Sequence, residues 1–493
     1  MPNPLPAGRA RTLRLRLLGV TGVLFIFVVW EALSLAAGSF FIPSPWTAAV
    51  ETARLLGRSF TWNQIGITIL RVCIGFVGGY FVGLAAGIGM GSRQEIAALL
   101  KPLVTFFQGM PPLLWAIPLV ALMGIGHLPT ITVIGLITFP LVAVTIAEGM
   151  STLPREYREM LSLFAPGFIP RLRELIFPYL APFLSASVKA GLVLAVKASV
   201  TAEYFGANNG IGFQIQSAFS VLAIPRLFAW AIVLILVILA FNHLLPRIAR
   251  MPGRIIAKRR RSRPMSCSLD DIRELKGIFT SLSGRPAILL EGVGYAFPRS
   301  PSLLRDIGLS VSAQEIAVVT GDSGMGKTTL LKMVASLIVP TEGSLEAPAR
   351  IGFVFQDDRL LPWRTVTENT ALPLLYQGIP RKNALCFADY LLSEAGLAGE
   401  GGKRPDELSG GMKKRAALAR CFARLPDAIL MDEPFSGLHA EARDLLWDMF
   451  LRLHALHPVP TLIVTHYPEE ISAHAACAVY VLQGKPATLM ARR

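Results

Sequence analysis

Charge is scarce in this 493-residue chain: Asp, Glu, Lys and Arg make up 16% of it, against roughly 25% in a soluble globular domain. A wholly soluble protein is excluded on that ground. Cysteine is just as thin, with Cys73, Cys267, Cys386, Cys421 and Cys477 alone. None of these has C-x-x-C or other metal spacing, so a cysteine-bound metal is excluded and all five read as reduced packing residues. Acid is short too, since 33 Asp and Glu face 48 Lys and Arg, a formal net charge of +15. No acid interrupts Arg247, Arg250, Arg254, Lys258, Arg259, Arg260, Arg261 and Arg263, a run that follows directly on the last apolar segment. A polybasic stretch in that place suits the headgroups of the cytoplasmic leaflet and argues against nucleic acid as a partner.

What the chain has in abundance is apolar sequence, 53% of all residues. Six segments, near 17–38, 65–90, 103–124, 129–148, 182–205 and 227–245, are each close to the roughly 20 residues that a spanning helix needs. The first follows Arg9, Arg11, Arg14 and Arg16 but outlasts the apolar core of a cleaved signal, so it reads as an anchor. Lys and Arg gather on one side: before span one, at Arg93 and Lys101, at Arg155, Arg158, Arg171 and Arg173, and in the run after span six. The opposite loops hold Arg54 and Arg58, with Arg71 and Arg226 at span edges. This asymmetry predicts a multi-pass membrane protein with both termini in the cytoplasm.

Past residue 250 the pattern changes. A polar, basic linker at 251–286, with a hint of short helix in LDDIRELKGIF, leads to β-type runs ILLEGVGYAF, EIAVVT, IGFVFQ, DAILMDEP and TLIVTH that alternate with helical stretches. Alternation of this kind signals an α/β domain with a largely parallel sheet. The expected organisation is an all-α six-span transmembrane domain over 1–250, the linker, and an α/β domain over 287–493. No internal repeat is visible, although apolar spans would hide a weak one.

The stretch GDSGMGKT fits the phosphate-loop pattern: Gly321, Asp322, Ser323, Gly324, Met325, Gly326, Lys327 and Thr328, with Thr329 next in the chain. It lies between an apolar strand and a helical run, so backbone amides and a helix N-terminus converge where phosphate would sit. Lys327 would reach the β- and γ-phosphates and Thr328 would offer its hydroxyl to Mg²⁺. In AILMDEP an apolar strand delivers Asp432 and Glu433 at its C-terminal end, where ligands of open α/β sheets bind. Asp432 would hold Mg²⁺ and Glu433 would orient or deprotonate the attacking water. Standing alone, the pair would be a solvated acidic turn. Ser409, Gly410 and Gly411 of LSGGM open a second glycine-rich helix start, while Gln356 and His466 each follow a strand.

In this order the motifs resemble the ATP-binding cassette of ABC transporters, from about Ile288 to the end of the chain. The resemblance implies ATP and Mg²⁺ as ligands and LSGGM as the signature. It makes Gln356 the residue that contacts Mg²⁺ and the permease, and His466 the switch histidine on the γ-phosphate. Tyr295 falls where the family stacks an aromatic on adenine; read alone it is ordinary strand packing. Met412 replaces the usual Gln of the signature. His439 stands where the family has Asp, which puts a cross-dimer contact in doubt. Because each ATP in this family lies between the phosphate loop of one cassette and the signature of another, the resemblance implies a homodimer of fused chains.

The loop 151–178 resembles the coupling loop of binding-protein-dependent importers, with Glu159, Met160 and Leu161 in its first three places, Ala165 in the glycine place, and Leu175, Phe177 and Pro178 in the last. FIPSPWTAAVE, QGMPPLLWAIPLVALMGIG and AEYFGANNGIGFQIQSA are worded like the nitrate, sulfonate and taurine branch. Implied is ATP-driven import of a small solute, an anion such as nitrate, a sulfonate or taurine, across a bacterial inner membrane. The solute would be delivered by a periplasmic or surface-tethered solute-binding protein. An exporter, or a membrane-tethered ATPase with a regulatory role, are the competing readings. Lys197 lies about 22 Å from the inner end of span five at 1.5 Å per residue, too deep to reach the inner surface. It is expected to line the substrate path with Glu31 or Glu203 as resting counter-ions, or else to be satisfied by a neighbouring helix.

Overall fold

The computed structural model describes residues 7–38, 40–164, 167–260, 287–469 and 476–491. Ala165, the helix expected in LDDIRELKGIF, Arg261 and Arg263 lie outside them. The chain divides into two compact units, Met1–Leu153 with Leu180–Ile256, and Pro154–Tyr179 with Ala257–Arg493. The first is helical: α1 (Ala7–Ala37), α2 (Pro45–Leu56), α3 (Ser59–Ser92), α4 (Gln94–Gly109), α5 (Pro112–Met123) and α6 (His127–Ser151). After an excursion through α7 (Arg155–Leu163) and α8 (Phe168–Arg171) follow α9 (Phe177–Gly206), α10 (Ile211–Ser220) and α11 (Ile224–Arg260).

All six apolar segments fall on helices. Among the described residues Ser59–Ser92, His127–Ser151, Ile169–Gly206 and Ile224–Phe241 are long and apolar enough to cross a membrane, and Thr21–Ala37 is a shorter apolar helix. The segment at 103–124, expected as one span, is instead α4 and α5 meeting at 95°. Pro111 and Pro112 are the cause: each lacks an amide donor and forces the residue before it into extended backbone, with ψ 125° at Met110 and 148° at Pro111.

The tightest seam in this unit is a glycine ridge. Gly75, Gly79, Gly83 and Gly87 recur every fourth residue on α3, on one helix face. A Cβ at Gly79 would stand 2.6 Å from the Gly135 carbonyl oxygen, and one at Gly83 would stand 2.5 Å from that of Phe139. Backbone therefore meets backbone between α3 and α6, which is how spans pack where no hydrophobic effect drives them together.

The second unit carries two sheets. One is antiparallel, ordered β2 (Ser302–Val311), β1 (Ile288–Ala296), β4 (Glu342–Glu346). The other runs β5 (Ile351–Val354), β6 (Ala428–Asp432), β7 (Thr461–Val464), β3 (Ile316–Gly321), β8 (Ala478–Gln483), β9 (Thr488–Ala491), parallel throughout except for the edge strand β9. β6 and β7 are buried along their whole length and β3 over all but its last residue, which is why IAVVT and AILMD read as unbroken apolar runs. Cys73 and Cys421 are free thiols, but Cys386 is disulfide-bonded, so the expectation of five reduced thiols fails there. Spacing along the chain does not reveal which thiols approach within bonding distance.

Arg71, expected at a span edge, is completely buried inside the first unit. Its Nη1 donates to Glu203 Oε1 at 3.0 Å and to the Asn209 carbonyl at 2.9 Å, its Nη2 donates to Asn209 Oδ1, and its Nε donates to His127 Nδ1 at 3.0 Å. Glu203 also accepts from Thr68 at 3.0 Å, from Ser199 at 3.4 Å and from the Gly212 amide at 2.9 Å. Glu203 is therefore the counter-ion of Arg71 and not of Lys197, correcting one of the two pairings expected. Breaking a buried pair on one side leaves an uncompensated charge. Glu203→Gln should accordingly destabilise the full chain by roughly 3–5 kcal/mol, seen as a clear fall in its thermal unfolding midpoint in detergent. An unchanged midpoint would show the pair to be dispensable.

Candidate active site

The parallel sheet delivers the motif residues to one edge. β3, β6 and β7 end in register, with Val319 and Asp432 both opposite Val464, so the segments that follow them emerge side by side. After β3 the chain turns through Gly321–Gly326 into α12 (Lys327–Val334). Gly326 caps that helix at φ 91°, and a Cβ there would come within 3.0 Å of Leu304, so glycine alone fits. Lys327 folds back over the loop: its Nζ donates to the carbonyls of Gly321 at 2.7 Å and Asp322 at 3.0 Å, and lies 3.4 Å from His466 Nε2. Burial pushes its ammonium below the ordinary lysine value, against the opposing pull of Glu433, Asp432 and Asp322.

Thr328 Oγ1 donates to Asp432 Oδ1 at 3.2 Å, uniting the hydroxyl and the carboxylate expected at a metal. Burial raises the Asp432 carboxyl, a shift that a cation at this position would reverse. Oxygen donors of this kind fit Mg²⁺, which prefers one or two protein ligands completed by phosphate and water. Among the described residues no cluster of three His, Cys, Asp or Glu could hold a metal unaided.

Glu433 is held between two of the expected partners. Its Oε2 accepts from Gln356 Nε2 at 3.3 Å, and its Oε1 lies 3.1 Å from His466 Nε2. The residue occupies the left-handed region at φ 46°, a strained conformation for a side chain with a Cβ, and its amide is tied to the Val464 carbonyl at 2.9 Å. The strained turn directs the carboxylate at the pair Gln356 and His466 instead of along the strand.

Other expected residues lie apart from this centre. Tyr295 on β1 packs edge-on against Phe297, with ring centroids 5.1 Å apart. Ser409 caps α16 (Gly410–Ala423) by accepting from the Met412 amide at 3.4 Å, and Gly411 is nearest Leu438 and Ala442. Gly411 thus stands next to the start of α17 (Ala440–Leu456), while the space beside Gly410 is open. Lys414 of α16 donates to the Gln356 carbonyl at 3.2 Å. His439 caps α17, its Nδ1 accepting from the Ala442 amide at 3.3 Å, a local task that an Asp could also perform.

The segment 154–179 belongs to this second unit. Glu159 on α7 binds Lys332, on the same short helix as the phosphate-loop lysine, at 3.0 Å, and Arg359, three residues past Gln356, at 3.1 Å. Glu174 pairs with Arg364, and its carbonyl accepts from Trp363 Nε1 at 3.2 Å. Beneath them Met160 and Leu161 are buried, and Phe164 stacks on Tyr376 with centroids 6.1 Å apart. Pro178 is half-buried near the end of the segment. Sequence reasoning missed Lys332, Arg359, Trp363 and Arg364. For Arg359, Trp363 and Arg364 the signal was the density of charged and aromatic residues in QDDRLLPWR; for Lys332 there was none.

Family models match two regions: ABC transporter over residues 304–436 and binding-protein-dependent transport system inner membrane component over 79–256. An aliphatic sulfonates import ATP-binding protein of Rhodococcus jostii is 41% identical over 187 residues, 37% of this chain and 73% of that protein. A taurine import ATP-binding protein of Pseudomonas entomophila is 36% identical over 212 residues, 41% of this chain and 82% of that protein. A solved dimeric ATP-binding cassette in a post-hydrolysis state with ADP and Pi is 25% identical, with a TM-score of 0.38 over 42% of this chain and 98% of its own.

The contacts of Glu159 give a pH signature. Burial works to raise its carboxyl, but the hydrogen bonds and charges of Lys332 and Arg359 outweigh that and hold it below its ordinary value of 4.5. Stability from a depressed carboxylate is complete above the unfolded value and is lost as pH falls through the folded one. Pepsin cleavage within 154–179 should therefore stay slow at pH 4.5 and accelerate only below it, and Glu159→Gln should cleave readily on both sides. A variant as protected as the wild type would show that the ion pairs do not hold the segment.

Proposed function

The chain belongs to the ABC transporter family, an ATP hydrolase coupled to transmembrane transport with its permease and cassette in one polypeptide, and on that premise we propose that it imports a small anion. The observation that carries this reading is the bonding of Glu159 to Lys332, which ties the segment leading into α9 to the helix of the phosphate loop. The family model of binding-protein-dependent permeases over 79–256 supports import with a separate solute-binding protein. The sulfonate and taurine import proteins among its relatives support an anion of that class.

In the proposed mechanism two copies of the chain close head to tail on ATP. Residues 321–329 of one copy cradle the phosphates, Tyr295 faces the adenine, and Ser409, Gly410 and Gly411 of the other copy complete the enclosure. Lys327 leaves its resting carbonyl partners for the β- and γ-phosphates. Thr328 and Asp432, with Gln356, would hold Mg²⁺, which when bound would neutralise charge developing on the phosphates. Glu433 accepts the proton of the attacking water through Oε1 or Oε2, and His466 orients that carboxylate and reaches the γ-phosphate. Closure draws on Gln356 and Lys332, and both lead to Glu159. Through 154–179 the movement passes into α9 and the substrate path, where Lys197 stands. Residues 1–250 act as the permease, 251–286 as a cytoplasmic linker and 287–493 as the cassette. The Lys and Arg asymmetry supports cytoplasmic termini in a bacterial inner membrane.

Two measurements test this. Glu433→Gln should retain ATP binding while hydrolysis falls by about 10²–10⁴-fold; full turnover would remove Glu433 as the base. Proteoliposomes containing the full chain, Mg²⁺-ATP and candidate binding proteins should accumulate labelled nitrate, taurine or an alkylsulfonate. Hydrolysis without accumulation of any of them would defeat the import reading.

A further inference from the structure

Among the described residues, one face of α9 is left without a partner. Its opposite face, including Gly191, Leu192, Ala195, Ser199 and Glu203, is buried against the rest of the first unit. The free face carries exposed Ala186, Lys189, Ala190 and Lys197, with half-buried Val193 and Thr201. Lys189 and Lys197 lie about 12 Å apart along the axis and within about 80° of each other around it. Among the described residues neither makes an ion pair, and Lys197 sits within the stretch Ile169–Gly206 that is apolar enough to cross a membrane.

Two facts narrow what this face can meet. An ammonium at such depth does not face hydrocarbon, and the side chains beside it are small. Nor can Glu203 neutralise it, since Arg71, Thr68, Ser199 and the Gly212 amide already occupy its oxygens. Among the described residues no acid forms an ion pair with either lysine, which leaves the pair open to an anion. Ala186, Ala190 and Val193 leave space beside the ammonium groups instead of covering them.

The geometry points to Lys189 and Lys197 as a two-level anion-selecting stripe in the translocation path, facing the same stripe of a second copy across the pair. This rests on the proposed import by two chains and adds to it the residues that choose the charge of the cargo. A singly charged sulfonate or nitrate would exchange its hydration for Lys197 and then for Lys189 on its way inward. Small uncharged neighbours would keep it from being trapped at either level.

The test uses the full chain in proteoliposomes. Val193→Cys should react with a negatively charged, membrane-impermeant methanethiosulfonate about tenfold faster than with its positively charged counterpart, because confined lysines concentrate anions locally. That preference should vanish when Lys189→Gln and Lys197→Gln are added and should persist with Lys197→Arg, which keeps the charge. Equal rates with both reagents, no reaction with either, or a preference unmoved by the glutamines would overturn the assignment. In the uptake assay Lys197→Gln should lower accumulation of taurine and ethanesulfonate about tenfold, with Lys197→Arg close to wild type. Arginine failing as badly as glutamine would mark a packing role and reject anion selection. Wild-type chains that accumulate no anion, alongside a Val193→Cys variant that keeps the reagent preference, would sink the import reading while leaving the stripe in place.

Discussion

A single carboxylate answers two cations from different parts of the nucleotide-binding unit. Glu159 meets Lys332, at the far end of the helix that begins at the phosphate loop, and Arg359, just beyond the glutamine that touches Glu433. Exposed ion pairs contribute little, but this one stands over buried Met160 and Leu161 and near the ring stack of Phe164 on Tyr376. Apolar contacts hold the segment down, and the charges fix its register against both loops. Moving either loop without moving Glu159 would leave a half-buried charge unanswered.

The nucleotide site was legible because its chemistry is written in contiguous stretches. Lys327, Thr328, Asp432, Glu433, Gln356 and His466 each follow a recognisable strand, and parallel strands necessarily bring their C-terminal ends to one edge. The docking of 154–179 was legible in outline, since Glu159 was singled out. Its partners were not, because Lys332 and Arg359 look like ordinary surface charges until the fold brings them beside α7. The break at Pro111 and Pro112 was missed because hydropathy sums over residues and ignores which of them lack an amide proton. His439, which put a cross-dimer contact in doubt, caps α17, a local role that its place in the sequence did not announce.

Arg71 and Glu203 show the same limit from the other side. Each resembled a residue of loop or path, and 132 positions separate them. Only the packing of α3 against the end of α9, with Asn209 and His127 closing the ring of donors and acceptors, makes them mutual counter-ions. Their pairing consumes the acid nearest in sequence to Lys197, and so sets the charge balance of the neighbouring helix face.

The glycine ridge on α3 constrains how the first unit can deform. Where main chain lies on main chain, no side chain can bend to absorb a slip; sliding by one residue would drive a methyl or an isopropyl group into a carbonyl oxygen. α3 and α6 are in this sense welded, a keel around which the remaining helices must pivot. Whatever rocking accompanies a transport cycle must therefore leave the α3–α6 seam intact.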